Sequence, residues 1–268
     1  MIVDSAGAGA LIEDYLRGLR VSDLPELEEA IRYSLLSGGK RIRPRLCLAA
    51  AVSAGGDPEP ALPVAGAIEM VQAFSLVHDD LPALDDDDTR RGQPTSHVRY
   101  GEGVAVLVGD ALLNGSHRLV IREVRPPELA LAVAAELADG VAGMIDGQYL
   151  DVTAVSDPTV EQLARLHRLK TGALIGASVV SGALVGGATD LAPYRAFSLE
   201  LGLLFQIVDD ILDDGTEDEP SYVNLLGLER ARELAVASHG RALELLAHVP
   251  GDTRELAGLT DQIANRRS

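Results

Sequence analysis

Apolar side chains recur three and four positions apart through most of this chain, the spacing that lines one face of an α-helix. The rhythm predicts helices over residues 8–20, 24–36 and 44–54, and from about residue 62 into an acidic cluster that begins at Asp79. Further helices are expected over 101–119 and 128–149, from Asp157-Pro158-Thr159 through the segment 167–172, and over 193–213, 225–246 and 256–264. Glycine and proline punctuate the pattern. Ser37-Gly38-Gly39 stops one helix, Pro44 fits the first turn of the next, and Gly55-Gly56-Asp57-Pro58 and Pro126-Pro127 mark later breaks. The uncharged stretch 171–189 is thick with Gly, Ala and Ser, and reads as a buried helix that neighbours approach closely rather than a membrane span. The expected class is all-α, one large helical bundle in a single domain over residues 1–268.

Composition narrows the core and the partners. Hydrophobic residues make up 47% of the chain but aromatics only 3%, with no Trp, so the core must be built from Leu, Val, Ile and Ala. A formal charge of −18 argues against nucleic acid or an anionic membrane surface as a partner, since both would repel the chain. Cys47 is the only cysteine, which excludes an intrachain disulfide and makes the reducing cytoplasm the expected compartment. It reads as a small buried residue. The segment MIVDSAGAGA has no basic region before an apolar run and does not read as a signal peptide.

The chemistry concentrates in two acidic helix ends. Between Ser75 and Arg91 the chain packs six carboxylates and two guanidiniums into seventeen positions. A helix ends with about half a negative charge on its free carbonyls, so Asp79 and Asp80 sit where a carboxylate is least welcome and a cation is needed. Pro82 cannot continue the helix, so the chain turns and can bring Asp85 back toward Asp79. Such a set suits Mg2+, which takes one or two carboxylates, several waters and substrate phosphate oxygens. Downstream, Phe205-Gln206-Ile207-Val208-Asp209-Asp210-Ile211-Leu212-Asp213-Asp214 is again an apolar helix turning acidic, with Asp209 and Asp213 on one face. Two such clusters can clamp one diphosphate through several bridging Mg2+ ions.

Basic residues supply the complementary signal. Lys40, Arg41 and Arg43 crowd a tight turn; a helix end accounts for one such charge, and three look like a diphosphate cradle. Arg90 and Arg91 are guanidinium forks suited either to phosphate or to the neighbouring aspartates. Lys170 precedes a long uncharged run, which sets it apart from an ordinary surface lysine. His78 has no metal-ligand spacing and reads as structural, Gly109-Asp110 as packing, and Arg266-Arg267 as a frayed basic tail.

DDxxxxD at Asp79, Asp80 and Asp85, DDxxD at Asp209, Asp210 and Asp213, GGKRIRP from Gly38, Thr171-Gly172 and Phe205-Gln206 occur in one order along nearly the whole chain. Together they resemble the trans-type isoprenyl diphosphate synthases (polyprenyl synthetases), most closely the bacterial type II farnesyl diphosphate synthases. The resemblance implies an isoprenoid-synthase bundle with a deep central cavity and the six aspartates just named as Mg2+ ligands. It implies that Lys40, Arg43 and Arg91 hold isopentenyl diphosphate. Gln72 stands where many relatives carry a His on that substrate. Arg90, Lys170, Thr171 and Gln206 would face the allylic diphosphate and its ionisation, and residues 147–151 would line the site. The implied activity is Mg2+-dependent head-to-tail condensation of isopentenyl diphosphate with dimethylallyl or geranyl diphosphate, by a homodimer. Phe74, five residues before Asp79, would floor the pocket beside the small Ser75 and set farnesyl diphosphate as the main product; filling core is an equal reading of the ring. Other readings are a geranylgeranyl diphosphate synthase, a class I terpene cyclase and a non-catalytic partner subunit. A cyclase mixes Asn, Ser and Glu at the second motif and has no second diphosphate for GGKRIRP to bind. The chain departs from the family after DDxxD, where residues 215–222 replace a longer lysine-containing loop and Glu219 stands where a second lysine is expected.

Overall fold

The structure is a computed structural model that describes residues 5–153, 158–213 and 220–266. The chain forms α1 (Ser5–Gly18), α2 (Pro25–Leu35), α3 (Ile42–Ser53), α4 (Leu62–Asp79), α5 (Ser96–Tyr100), α6 (Glu102–Glu123) and α7 (Pro127–Val152). It continues through α8 (Val160–His167), α9 (Ala173–Val185), α10 (Ala192–Leu212), α11 (Tyr222–Leu226), α12 (Leu228–Leu246) and α13 (Arg254–Ala264). Among the described residues the only strands are an antiparallel pair of two residues each, β1 (Thr89–Arg90) and β2 (Gln93–Pro94), pairing Thr89 with Pro94 and Arg90 with Gln93. The all-α expectation holds, and the predicted helices appear within a few residues of their expected bounds. The connection 214–219, with Asp214 and Glu219, lies outside the described residues, as does Asp157.

Small side chains decide how the helices meet. α4 is apolar all round and buried along most of its length, as expected of a helix at the centre of a bundle. α9 lies against α3 so closely that a Cβ at Gly182 or Gly186 would collide with the carbonyl oxygen of Cys47 or Ala51. That contact is the close approach expected of the 171–189 stretch. α3 and α9 supply residues to both of the large buried clusters, one gathered around α1, α4, α6 and α7 and the other around α10, α12 and α13. The sequence picks out one stretch of membrane-spanning length; among the described residues three helices, Glu59–Asp79, Glu102–Glu123 and Val160–Val185, are long and apolar enough by length and composition.

The turn between α2 and α3 is built on unusual backbone. Gly38 and Gly39 have φ of 88° and 122°, and Arg41 takes a left-handed 48°. Arg41 is buried in return, pairing with Glu13 at 2.7 Å, with the buried Glu69 of α4, and donating to the Leu35 carbonyl at 3.1 Å. Removing one member of such a set costs about 3–5 kcal/mol, because the others are left buried and uncompensated. α3 starts at Ile42, so Arg43 lies within its first turn rather than in the turn before it.

Candidate active site

α4 delivers Asp79 at its last turn, and the chain folds back as Pro82 requires. The Asp85 amide donates to the Asp79 carbonyl at 2.9 Å, and Leu84 and Asp86 both donate to the Leu81 carbonyl. The two leading aspartates then diverge. Asp79 faces a large cavity, while Asp80 is 4% exposed and accepts from Arg90 Nε at 2.5 Å. Arg90 also reaches Asp87 at 3.1 Å, so of the two uses expected for this guanidinium the structure holds the ion pair.

That cavity, of about 520 Å3, is walled on one side by Gln72, Phe74, Ser75 and His78 of α4. Met144, Gln148 and Tyr149 of α7 form another wall, and Arg43, Asp79, Lys170 and Thr171 complete the lining. Of the 147–151 segment, Gln148 and Tyr149 line this cavity, while Leu150 lines a separate pocket. A neighbouring pocket of about 400 Å3 holds Asp80, Arg90, Arg91 and Tyr33, and Leu76 borders both spaces. Arg91 lies over the glycine turn, donating to the Gly38 carbonyl, and a Cβ at Gly39 would strike its guanidinium. Lys40 is exposed and lines neither space.

Lys170 sits where α8 runs into α9 through a single π-helical turn, Arg168–Gly172. Widened turns of this kind are frequent at functional sites, and here the extra residue re-aims Lys170 and Thr171 into the cavity. α7 and α10 press against this turn at glycines: a Cβ at Gly147 would collide with the Lys170 backbone, and one at Gly202 would come within 2.9 Å of Gly172 Cα. Lys170 pairs with Asp151. Burial pulls its ammonium down, but Asp151, Asp79 and Asp85 outweigh that and hold its pKa above the ordinary lysine value.

From Lys170 a chain of contacts leads to the second cluster. Thr171 Oγ1 donates to Gln206 Oε1 at 2.9 Å, Gln206 Nε2 donates to Asp210 at 2.9 Å, and the Tyr222 amide donates to the other Asp210 oxygen at 2.7 Å. Asp210 is buried and committed in the same way as Asp80. Asp209 pairs with Arg266 at 2.6 Å, and that guanidinium lies 4.7 Å from the Phe205 ring centre, with Arg43 over the same ring at 5.3 Å. Arg266 is therefore docked at the second cluster rather than frayed; Arg267 lies outside the described residues.

The electrostatics leave these carboxylates short of positive charge. Burial first, and then neighbouring aspartates, push Asp79, Asp209 and Asp210 up to about 6, although Lys170, Arg266 and Gln206 oppose the shift. Among the described residues no three His, Cys, Asp or Glu side chains converge as a preformed metal cage. Hard oxygen donors set apart on two helix ends fit Mg2+ held through substrate phosphates better than a cation caged by protein alone. The sign of the pH dependence follows. A carboxyl whose folded pKa near 6 exceeds its ordinary 3.8 binds more protons folded than unfolded between those values, so stability falls as pH rises through that window. The metal-free protein should melt higher at pH 5.5 than at pH 7.5, and Mg2+ with inorganic diphosphate should restore the loss at pH 7.5. A melting temperature that climbs steadily from pH 5.5 to 7.5 without metal would show that the clusters carry no such cost.

Sequence reasoning placed Arg41 in a diphosphate cradle, whereas it is committed to Glu13 and Glu69; it missed Glu69, Asp151's hold on Lys170, and the docking of Arg266. Glu69 did leave a signal, as the one charge inside the apolar run from Leu62 to Val77.

Known proteins share the sequence and the fold. The polyprenyl synthetase family model matches residues 24–220. A geranylgeranyl pyrophosphate synthase of Capsicum annuum is 43% identical over 265 residues, covering 90% of this chain and 71% of that protein. Among solved structures, an FPP/GFPP synthase from Zymomonas mobilis superposes with a TM-score of 0.87 at 35% identity, covering 96% of this chain and 95% of that one. A geranyltransferase from Helicobacter pylori, complexed with magnesium and isoprenyl diphosphate, gives 0.86 at 32% identity over 97% and 95%. With two aspartate-ended helices, a cationic wall at Lys170 and an apolar cavity behind them, matched in sequence and in fold, this chain belongs to the polyprenyl synthetase family, the trans-isoprenyl diphosphate synthases.

Proposed function

We propose that this short-chain prenyltransferase joins isopentenyl diphosphate head-to-tail to dimethylallyl or geranyl diphosphate and stops mainly at farnesyl diphosphate. The observation that supports the stop is Phe74, which walls the cavity five residues before Asp79, about 7.5 Å back along the helix axis. Geranylgeranyl diphosphate is the second reading. It is favoured by the name of the 43% identical relative, whereas the Zymomonas mobilis neighbour is named for farnesyl and longer products.

In this reading the allylic diphosphate lies at the cavity mouth with its tail toward Phe74. The chemistry a bound Mg2+ supplies is neutralisation of the leaving diphosphate, and Asp79, Asp85, Asp209 and Asp213 would hold it. Asp80 and Asp210, expected from the sequence as ligands too, would orient their neighbours through Arg90, Gln206 and the Tyr222 amide. Lys170, steered by Asp151, would add a fixed positive charge to the departing oxygens, in a wall whose buried setting strengthens it. Thr171 and Gln206 would present polar atoms to the developing allylic cation. Arg43, Gln72, Arg91 and Lys40 would hold isopentenyl diphosphate with its double bond toward that carbon. The C–O bond to diphosphate breaks, the new C–C bond forms, and the released diphosphate accepts the proton lost. No protein nucleophile is required, and the apolar cavity keeps out water that would quench the cation. Arg266 and Arg43 are the counter-charges beside Asp209.

We further propose a homodimer. Leu107 and Ile121 on α6 are exposed and fourteen residues apart, so they share a face that a second copy can cover, and Leu131 near the start of α7 is exposed as well. Purified protein should elute as a pair of 28.2 kDa chains. Incubated with isopentenyl diphosphate, geranyl diphosphate and Mg2+, it should give a fifteen-carbon main product. A twenty-carbon main product would decide for the second reading, and a folded protein that forms no product would remove the prenyltransferase reading of this site.

A further inference from the structure

Phe74 does not stand alone at the cavity floor. His78 follows it by one helical turn on α4, so the two rings share a face. They meet edge to face, with centroids 5.0 Å apart and planes at 75°, and both line the large cavity. The imidazole is fixed from its far side. Its Nε2 lies 3.1 Å from the main-chain carbonyl of Val106 on α6, and because a carbonyl only accepts, that nitrogen carries the proton. The ring fills the hollow over Gly109, where a Cβ would collide with Nε2, and Gly109 itself does not line the cavity. A hydrogen bond and a glycine hollow on α6 thus hold a ring that closes off the space beside Phe74.

We infer that His78 is a positioning residue for product length: it keeps the Phe74 ring across the cavity and so fixes where a growing prenyl chain stops. An aromatic side chain with open space beside it turns readily between staggered rotamers. Here the imidazole occupies the space into which Phe74 would swing. The inference rests on the proposal that Phe74 is the floor, and its test separates the two.

The measurement is the ratio between the product one five-carbon unit beyond the parent's main product and that main product. It is taken with isopentenyl and geranyl diphosphates and Mg2+, below each variant's melting temperature. His78→Ala should raise this ratio roughly tenfold, the scale on which a hydrophobic pocket discriminates small changes in size. His78→Gln can still donate to the Val106 carbonyl and partly fills the hollow, so it should raise the ratio less; should the alanine variant fail to fold, a ratio above the parent's in the glutamine variant supports the inference and an unchanged one overturns it. The double variant Phe74→Ala/His78→Ala should match Phe74→Ala alone, because His78 acts through the ring it holds. If Phe74→Ala lengthens the product and folded His78→Ala does not, this inference fails and the floor reading stands. If neither does, the floor reading itself is gone. Additive lengthening in the double variant would also overturn the inference, since the imidazole would then be a wall in its own right.

Discussion

Replacing either Asp79 or Asp209 by alanine should cut turnover by roughly a thousandfold or more, the scale seen when a group that stabilises developing charge is removed. Each ends a different helix, and each is pushed up to about 6 by burial, so each is ready to gain from a cation. Neither can stand in for the other. Asp79 shares its neighbourhood with Asp85 and Lys170, whereas Asp209 shares its own with Asp213, Arg43 and Arg266. Losing one leaves half a clamp on the leaving diphosphate. Alanine at Asp80 or Asp210 should cost less, about ten- to a hundredfold, if these aspartates orient the site instead of binding the metal. The two classes should also part in stability. An ionised carboxyl held near 6 rather than 3.8 costs about 2–3 kcal/mol at neutral pH, so the metal-free Asp79→Ala and Asp209→Ala variants should melt no lower than the parent. They should also lose the stabilisation brought by Mg2+ with diphosphate. Turnover paired with thermal melting checks this, and near-normal activity in either variant would end the clamp reading.

What the sequence could show about this site was local. Helix bounds were legible because apolar spacing and Gly or Pro stops act within a few residues. The fold-back of Asp85 onto Asp79 was legible because Pro82 leaves the chain little choice. The different fates of Asp79 and Asp80 were not. Adjacent residues lie about 100° apart around a helix, and which one meets the cavity depends on how α6 and α7 pack against α4. Arg41 read as one more charge in a basic turn, yet it is a buried tie between α1, the glycine turn and α4. Arg266 lies 57 positions from Asp209, and nothing local marks it as more than a chain end. The π turn at Lys170 is also a tertiary result: it forms where Gly147 and Gly202 let α7 and α10 press close.

Phe74→Ala should open the cavity floor and shift products from fifteen carbons to twenty or longer. From the sequence, floor and core filler were alternative roles for this ring. In the structure Phe74 is 9% exposed, belongs to the buried cluster around α4 and also lines the cavity, so the two roles are compatible. Both consequences of removing it should therefore appear together. Truncation of a buried Phe costs about 3–5 kcal/mol through lost transfer energy and the cavity left behind. That cavity adjoins the space the prenyl tail would enter, so a longer tail can fill part of it. The variant should melt well below the parent when free, and recover part of that loss when geranylgeranyl diphosphate is present with Mg2+. Ser75, beside the ring, is small and bonded to the Gln72 carbonyl at 3.0 Å, so it offers no second barrier at this level. Product lengths should be read from incubations below the variant's melting temperature, with melting followed with and without the twenty-carbon diphosphate. A folded variant that still stops at the parent's chain length, and gains no more stability from the longer diphosphate than the parent does, would make Phe74 core packing alone and move the stop to the α7 wall at Met144 and Gln148.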